Sequence, residues 1–265
     1  MKGTLHKMRT ELREQVQYFL TFGVQEVLLN DFIGKEISLV HTGAIFCENC
    51  GKKVTKTLMD GLCFPCFQSS AQGAECILRP ELCRAHLGEG RDIEWEERNH
   101  NQPHVVYLAA SDIVKVGVTR SSQMPFRWID QGASSAIILA ETPNRYEAGK
   151  LEVELKSFFS DKTNWQRMLK NELDDTIDLE NEKWSVHEQL PADLTEFFSE
   201  NDTITTINYP VLQFPEKVKS LSFDKEKVIE GKLSGIKGQY LLFEDGPVVN
   251  IRKHAGYEIE ISVKN

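Results

Sequence analysis

Six cysteines fall between Cys47 and Cys83, and four of them form two matched pairs, "CENC" and "CFPC". Cys47-x2-Cys50 and Cys63-x2-Cys66 are separated by the twelve residues "GKKVTKTLMDGL". Two-residue spacing lets both thiolates of a tight turn face one ion at about 2.3 Å, and two such turns make a four-sulfur site. Gly51, directly after the first pair, relaxes a turn where positive φ is often required. The intervening stretch has the length of a short hairpin, so the four cysteines read as a zinc ribbon whose closed site folds the segment. The rival chemistry, a CxxC thiol oxidoreductase, requires a reactive cysteine of low pKa, whereas zinc thiolates resist mild alkylation until the metal is chelated.

A second group follows in "ECILRPELCRAH". Cys76-x6-Cys83-x2-His86, with His100 and His104 downstream, could hold a second zinc through Cys76, Cys83, His86 and His100. Buried free thiols with surface histidines account for the same residues. A further run, "VYLAASDIVKVGVTRSSQMPFRWIDQGA", places Tyr107, Lys115, Arg127 and Asp130 among alternating valines. A phenol, two cations and a carboxylate are groups that bind phosphate and move protons.

The elements that must position these groups follow from periodicity. "HVVYLA" and "IVKVGVT" alternate as two strands joined by "ASD". Val105 and Tyr107 share one face, and Lys115 and Gly117 share one face of the second strand. A glycine inside a strand marks a close approach to the backbone. Pro125 suits the first turn of the short helix "PFRWIDQ", closed by Gly132. "SAIILAET" is a third strand, and Asn144 caps a helix that turns Leu151, Leu155, Phe158 and Phe159 toward a core.

This order, strand–strand–helix–strand–helix, together with its residues resembles the GIY-YIG nuclease domain over about residues 104–165. The family's tyrosine, glycine, arginine and glutamate are matched by Tyr107 in "VVYL", Gly117 in "KVG", Arg127 in "FRWID" and Glu147 in "NRYE"; its late asparagine is matched by Asn164 in "DKTNW". Lys115 stands where the second motif carries a tyrosine. The resemblance implies that Tyr107 takes a proton from water, Arg127 clamps the phosphate, and Glu147 holds a Mg²⁺ that assists the leaving oxygen. Lys115 would serve as a phosphate ligand or a proton acceptor. The same residues have plainer readings: a half-buried strand tyrosine, an Arg127–Asp130 surface pair, and an Asn144–Glu147 capping box. The wider chain resembles an uncharacterised bacterial family of the domain-of-unknown-function type, on "PELC" at 80–83, "RWIDQGA" at 127–133 and "GQYLLFEDGPVVNIRKHAGYE" at 238–258. That likeness brings no established activity.

Composition bounds the rest. A chain of 265 residues with net charge −9 has room for two or three small domains. The acidity is local: residues 171–202 hold eleven acids against one lysine, which reads as a solvated helical linker. A phosphate-binding face elsewhere therefore remains open. The beginning "MKGTLHKMRTELREQ" has no apolar signal region and no stretch approaches a membrane span, so the expected compartment is the cytoplasm, with no membrane partner. The expected fold class is α+β. It comprises a β segment at 1–46, a zinc-binding segment at 47–103 and a GIY-YIG-like three-stranded sheet with flanking helices at 104–170. The acidic segment at 171–202 follows, and a C-terminal β segment at 203–265 pairs with the first, its "EDG" forming a hairpin turn. A faint echo of "QYFL…LLNDFIGKEISL" in "QYLL…VVNIRKHAGYEIEI" suggests that the two ends close one small barrel. The functional expectation is a nucleic-acid-processing protein, a Mg²⁺-dependent phosphodiesterase or endonuclease. The alternative is a non-catalytic module that binds nucleic acid or protein on a degenerate nuclease fold.

Overall fold

A computed structural model describes residues 1–22, 25–159, 164–174 and 176–264. The architecture is α+β, and the chain divides into two compact units. The first comprises Met1–Gln68, Ile129–Gly132 and Asn208–Asn265, and the second Ser69–Trp128 and Ala133–Ile207. The cysteine run is thereby split, with Cys47–Cys66 in the first unit and Cys76 and Cys83 in the second. Among the described residues no helix is long and apolar enough to cross a membrane.

The first unit is built on an eight-stranded sheet. Its longest strand, Glu36–Phe46, lies between Tyr257–Val263 and Val228–Lys237, both antiparallel to it. Lys2–Thr4 pairs outside Tyr257–Val263, so both ends of the chain meet in one sheet. Alternation explains the packing: Ile37, Leu39, Ile229, Ile259 and Ile261 are buried, while Glu230 and Glu260 between them face out. Tyr240–Phe243 turns into Pro247–Asn250 through "EDG", where Asp245 and Gly246 both take positive φ, as a tight hairpin requires. The echo between the two ends has a counterpart in element order: a hairpin, a 3-10 turn (Leu29–Phe32, Arg252–His254), a glycine at positive φ (Gly34 at +83°, Gly256 at +90°) and a strand (Glu36–Phe46, Tyr257–Val263), but the two hairpins lie in different sheets. Gln17–Phe22 belongs to a separate three-stranded sheet with Arg9–Glu11 and Gln25–Leu28, whereas Tyr240–Phe243 belongs to the large one. The large sheet runs open from Lys2–Thr4 to Lys219–Leu221 rather than closing as a barrel.

The second unit carries a four-stranded antiparallel sheet in the order Thr205–Thr206, Ser135–Thr142, His104–Ala110, Val114–Arg120. Three of these strands are those expected; the two-residue edge strand is an addition with no pattern of its own. Val106, Leu108 and Ala110 pack with Ile137 and Leu139 against Ala148, Leu151 and Leu155 of the helix Arg145–Leu155. That helix starts at Asn144, whose side chain accepts from the Glu147 N–H at 3.1 Å. Gly149 lets the same helix close onto the Pro80–Glu81 backbone, because a Cβ there would lie 2.2 Å from the Glu81 nitrogen.

The acidic segment is not merely solvated. Leu179, Val186, Leu190 and Leu194 join the sheet's core, on the helices Leu179–His187 and Ala192–Thr195 and the turn between them. The count of charges hid an apolar stripe at helical spacing. Lys183, fully buried on that stripe, donates to Asp202 at 2.8 Å and to the Asn201 carbonyl at 3.0 Å.

Candidate functional site

The strand Glu36–Phe46 delivers Cys47 to a knuckle. The Cys47 N–H donates to the Lys52 carbonyl and Gly51 N–H to the Cys47 carbonyl, with Gly51 at φ +67°. The second pair opens the short helix Phe64–Ser69. The sulfurs of Cys47, Cys50, Cys63 and Cys66 all lie within 4.8 Å of one another. Cys50 and Cys63 are 3.9 Å apart, far beyond a disulfide at about 2.05 Å. A tetrahedral ion with bonds of about 2.3 Å holds its sulfurs roughly 3.8 Å apart, so the four can hold one metal ion such as zinc. The Cys63 N–H donates to Cys47 Sγ at 3.2 Å, and the Asn49 amide to Cys66 Sγ at 3.4 Å. Burial opposes a thiolate at Cys47, yet the N–H groups of Cys50, Cys63 and Asn49 hold it down at about 6. Leu62, with Val54 and Phe67, is the apolar matter around these sulfurs.

Cys76, Cys83 and His100 form a second group, all three buried, with ligand atoms within 4.8 Å. His86 stands outside it: its ring stacks on Tyr146 at 4.5 Å, and its buried Nδ1 has no hydrogen-bond partner among the described residues. Sequence spacing had favoured His86 because it lies three residues from Cys83. The buried carboxylate of Glu96, which spacing to the cysteines did not flag, lies 3.7 Å from His100 Nδ1.

Tyr107 and Gly117 are directly paired across the hairpin, as are Ala109 and Lys115, so Tyr107, Gly117 and Lys115 share one sheet face. The Tyr107 ring fills the space over Gly117, where a Cβ would sit 2.6 Å from the phenol oxygen. Trp128 packs edge-on to Tyr107 at 5.9 Å, and Tyr107 is only 1 % exposed. Lys115 Nζ lies 3.4 Å from Ser111 Oγ and 3.8 Å from Asp112; partial burial lowers its pKa although Asp112 opposes the shift. Arg127 is half-buried on the helix Phe126–Asp130. Asp130 does not form the surface pair expected with Arg127; its carboxylate takes the Lys7 ammonium and, at 2.8 Å, the Gln239 amide. Glu147 keeps a partly exposed carboxylate 2.6 Å from Lys150. Asn164 caps the helix Trp165–Lys170, accepting from Gln166 at 3.1 Å and Arg167 at 3.3 Å.

The sequence pattern of a family described as "protein of unknown function (DUF2797)" matches residues 34–259. The chain belongs to the DUF2797 family. That match takes in both cysteine groups, the Tyr107 face and most of the large sheet. No curated protein and no solved structure matches the chain. Membership in DUF2797 therefore supplies a kinship without an activity, and the chemistry rests on the residues themselves.

Proposed function

We propose that residues 104–158 of this DUF2797 protein are a GIY-YIG-like module that grips the phosphodiester backbone of a nucleic acid without cutting it. A zinc ribbon at Cys47, Cys50, Cys63 and Cys66 organises the first unit, since soft thiolates in a tetrahedral set suit zinc. The observation that carries the non-cutting reading is the burial of Tyr107. A general base must come within hydrogen-bond reach of the attacking water, and this phenol is covered by Trp128 and seated on Gly117. Support for a phosphate site comes from the succession of strand, strand, helix, strand and helix, and from the cations Lys115 and Arg127 in it. Arg127 directly precedes the tryptophan that packs on Tyr107, and it is not consumed by Asp130. The rival nuclease reading draws on Glu147, whose partly exposed carboxylate could hold a Mg²⁺ that keeps most of its waters.

The test is fluorescence anisotropy with DNA and RNA oligonucleotides, run beside a cleavage assay in Mg²⁺ or Mn²⁺. Wild type is expected to bind with a salt-dependent affinity, losing about one unit of salt slope per phosphate contact removed in Arg127→Ala or Lys115→Ala. Glu147→Ala should bind as well as wild type, and no protein should cut. Cleavage by wild type that Glu147→Ala abolishes would establish the nuclease instead. Absence of binding to every oligonucleotide would remove nucleic acid from the account.

A further inference from the structure

The segment from Ala71 to Asn99 has little to hold it together by ordinary packing. It consists of four 3-10 turns, Ala71–Gly73, Glu75–Ile77, Pro80–Leu82 and Ala85–Leu87, and one short helix, Ile93–Asn99. Its buried cluster is two alanines and two thiols, with Tyr146 packed alongside. Leu78, Leu82, Leu87 and Ile93, the residues that could have made an apolar core, are exposed. What the segment and the residue that follows it bury is ligand chemistry: Cys76, Cys83, Glu96 and His100, with Glu96 only 3 % exposed.

We infer that Cys76, Cys83, His100 and Glu96 form a second zinc site, closed by the Glu96 carboxylate rather than by His86. Glu96 and His100 are four residues apart on one helical face, which brings their side chains together. Cys76 Sγ is 3.9 Å and Glu96 Oε2 is 3.7 Å from His100 Nδ1. Ligands on a tetrahedral zinc lie roughly 3.3–3.8 Å apart; Cys76, Cys83 and His100 already lie within 4.8 Å of one another, and the Glu96 carboxylate, which stands outside that group beside His100, must turn toward the thiols to complete the set. Glu96 is held ready for this: its other oxygen accepts from the Arg91 N–H at 2.8 Å, and Gly90 leaves room for the carboxylate, since a Cβ there would lie 2.4 Å from it. Two thiolates and a carboxylate around Zn²⁺ leave one negative charge. Arg145 answers it, its guanidinium donating twice to the Cys76 carbonyl, at 3.0 and 2.9 Å, and once to that of Ile77 at 2.9 Å. Burying a carboxylate and two thiols beside an imidazole carries a desolvation cost that a metal ion bound among them would offset. The site is independent of the nucleic-acid reading.

Metal analysis of the full-length protein prepared with zinc tests this. Wild type is expected to hold two zinc ions per chain. Glu96→Gln and Cys76→Ser should each lose one, while His86→Gln keeps both. X-ray absorption of the wild type should average three sulfurs and one nitrogen or oxygen per zinc, a measurement that stands even if a variant fails to fold. One zinc with four sulfurs would overturn the second site. Two zinc ions retained in Glu96→Gln, or lost to one in His86→Gln, would overturn the assignment of the fourth ligand.

Discussion

The pairing of Tyr107 with Gly117 shows how far single residues could be read in advance. A glycine inside a valine-rich strand announced a close approach, and the approaching group is the Tyr107 ring itself. The cysteine pairs were legible for a similar reason, since CxxC geometry is local. Glu96 was not, because nothing in "EWEERNH" distinguishes it from its neighbours Glu94 and Glu97 until the helix face is known. His104 was offered as a spare ligand. It lies outside the group of Cys76, Cys83 and His100 and is buried, with Nδ1 2.7 Å from the Gln102 carbonyl. Burial lowers its pKa from 6.5 to about 4; the Gln102 contact opposes this, and the charges of Arg145, His100 and Arg120 add to it. Above pH 6.5 neither the folded nor the unfolded chain protonates this ring, and stability from it is fully present. As pH falls from 6.5 toward 4, only the unfolded chain takes the proton, so stability is lost, up to about 3 kcal/mol. Urea unfolding at pH 7 and pH 5.5 should therefore fall more steeply in wild type than in His104→Gln, by about 1 kcal/mol. Equal slopes in the two proteins would mean that the ring is not held neutral by the fold.

At the scale of elements, the hairpin His104–Arg120 was legible because strict alternation of valines admits one period. The acidic segment was misread because net charge was weighed ahead of spacing. Leu179, Val186, Leu190 and Leu194 recur at helical intervals and pack under the sheet, while the acids lie mostly outside. Leu179→Ala should accordingly cost about 2–4 kcal/mol in chemical denaturation. A freely solvated linker would register less than about 0.5 kcal/mol. Gly149 makes the complementary case. In an exposed helix, alanine would gain about 1 kcal/mol over glycine. Here its methyl would meet backbone atoms of Pro80 and Glu81 at 2.4 and 2.2 Å, and backbone cannot rotate away as a side chain can. Gly149→Ala should lower the melting temperature; a rise would show that the Pro80–Glu81 turn yields to the helix.

At the scale of the molecule, local patterns could name strands but not their partners. The pairing of Lys2–Thr4 with Glu258–Glu260 joins residues more than 250 apart, and no local pattern encodes which edge such a strand takes. The thiolate knuckles stand at the end of that same sheet. The Phe46 N–H donates to the Gly256 carbonyl at 2.7 Å, Thr57 donates to the Ala255 carbonyl at 3.3 Å, and Arg252 grips Asp60 through two hydrogen bonds of 2.7 and 3.0 Å. The apolar support inside the knuckles is one buried leucine and two partly buried neighbours. A few such side chains, at about 1.5–3 kcal/mol each, do not offset the entropy of ordering twenty residues. A metal ion held by the four cysteines would supply the difference in the first unit, whereas the strands Val228–Lys237 and Tyr240–Phe243 have their own buried leucines and isoleucines. Hydrogen exchange followed by mass spectrometry, before and after stripping the metal with a strong chelator, separates the two. Protection should collapse across residues 47–68, weaken across 252–257 through the shared hydrogen bonds, and persist across 228–243. Unchanged protection across 47–68 in metal-free protein would mean that the four cysteines are packed for reasons other than a metal.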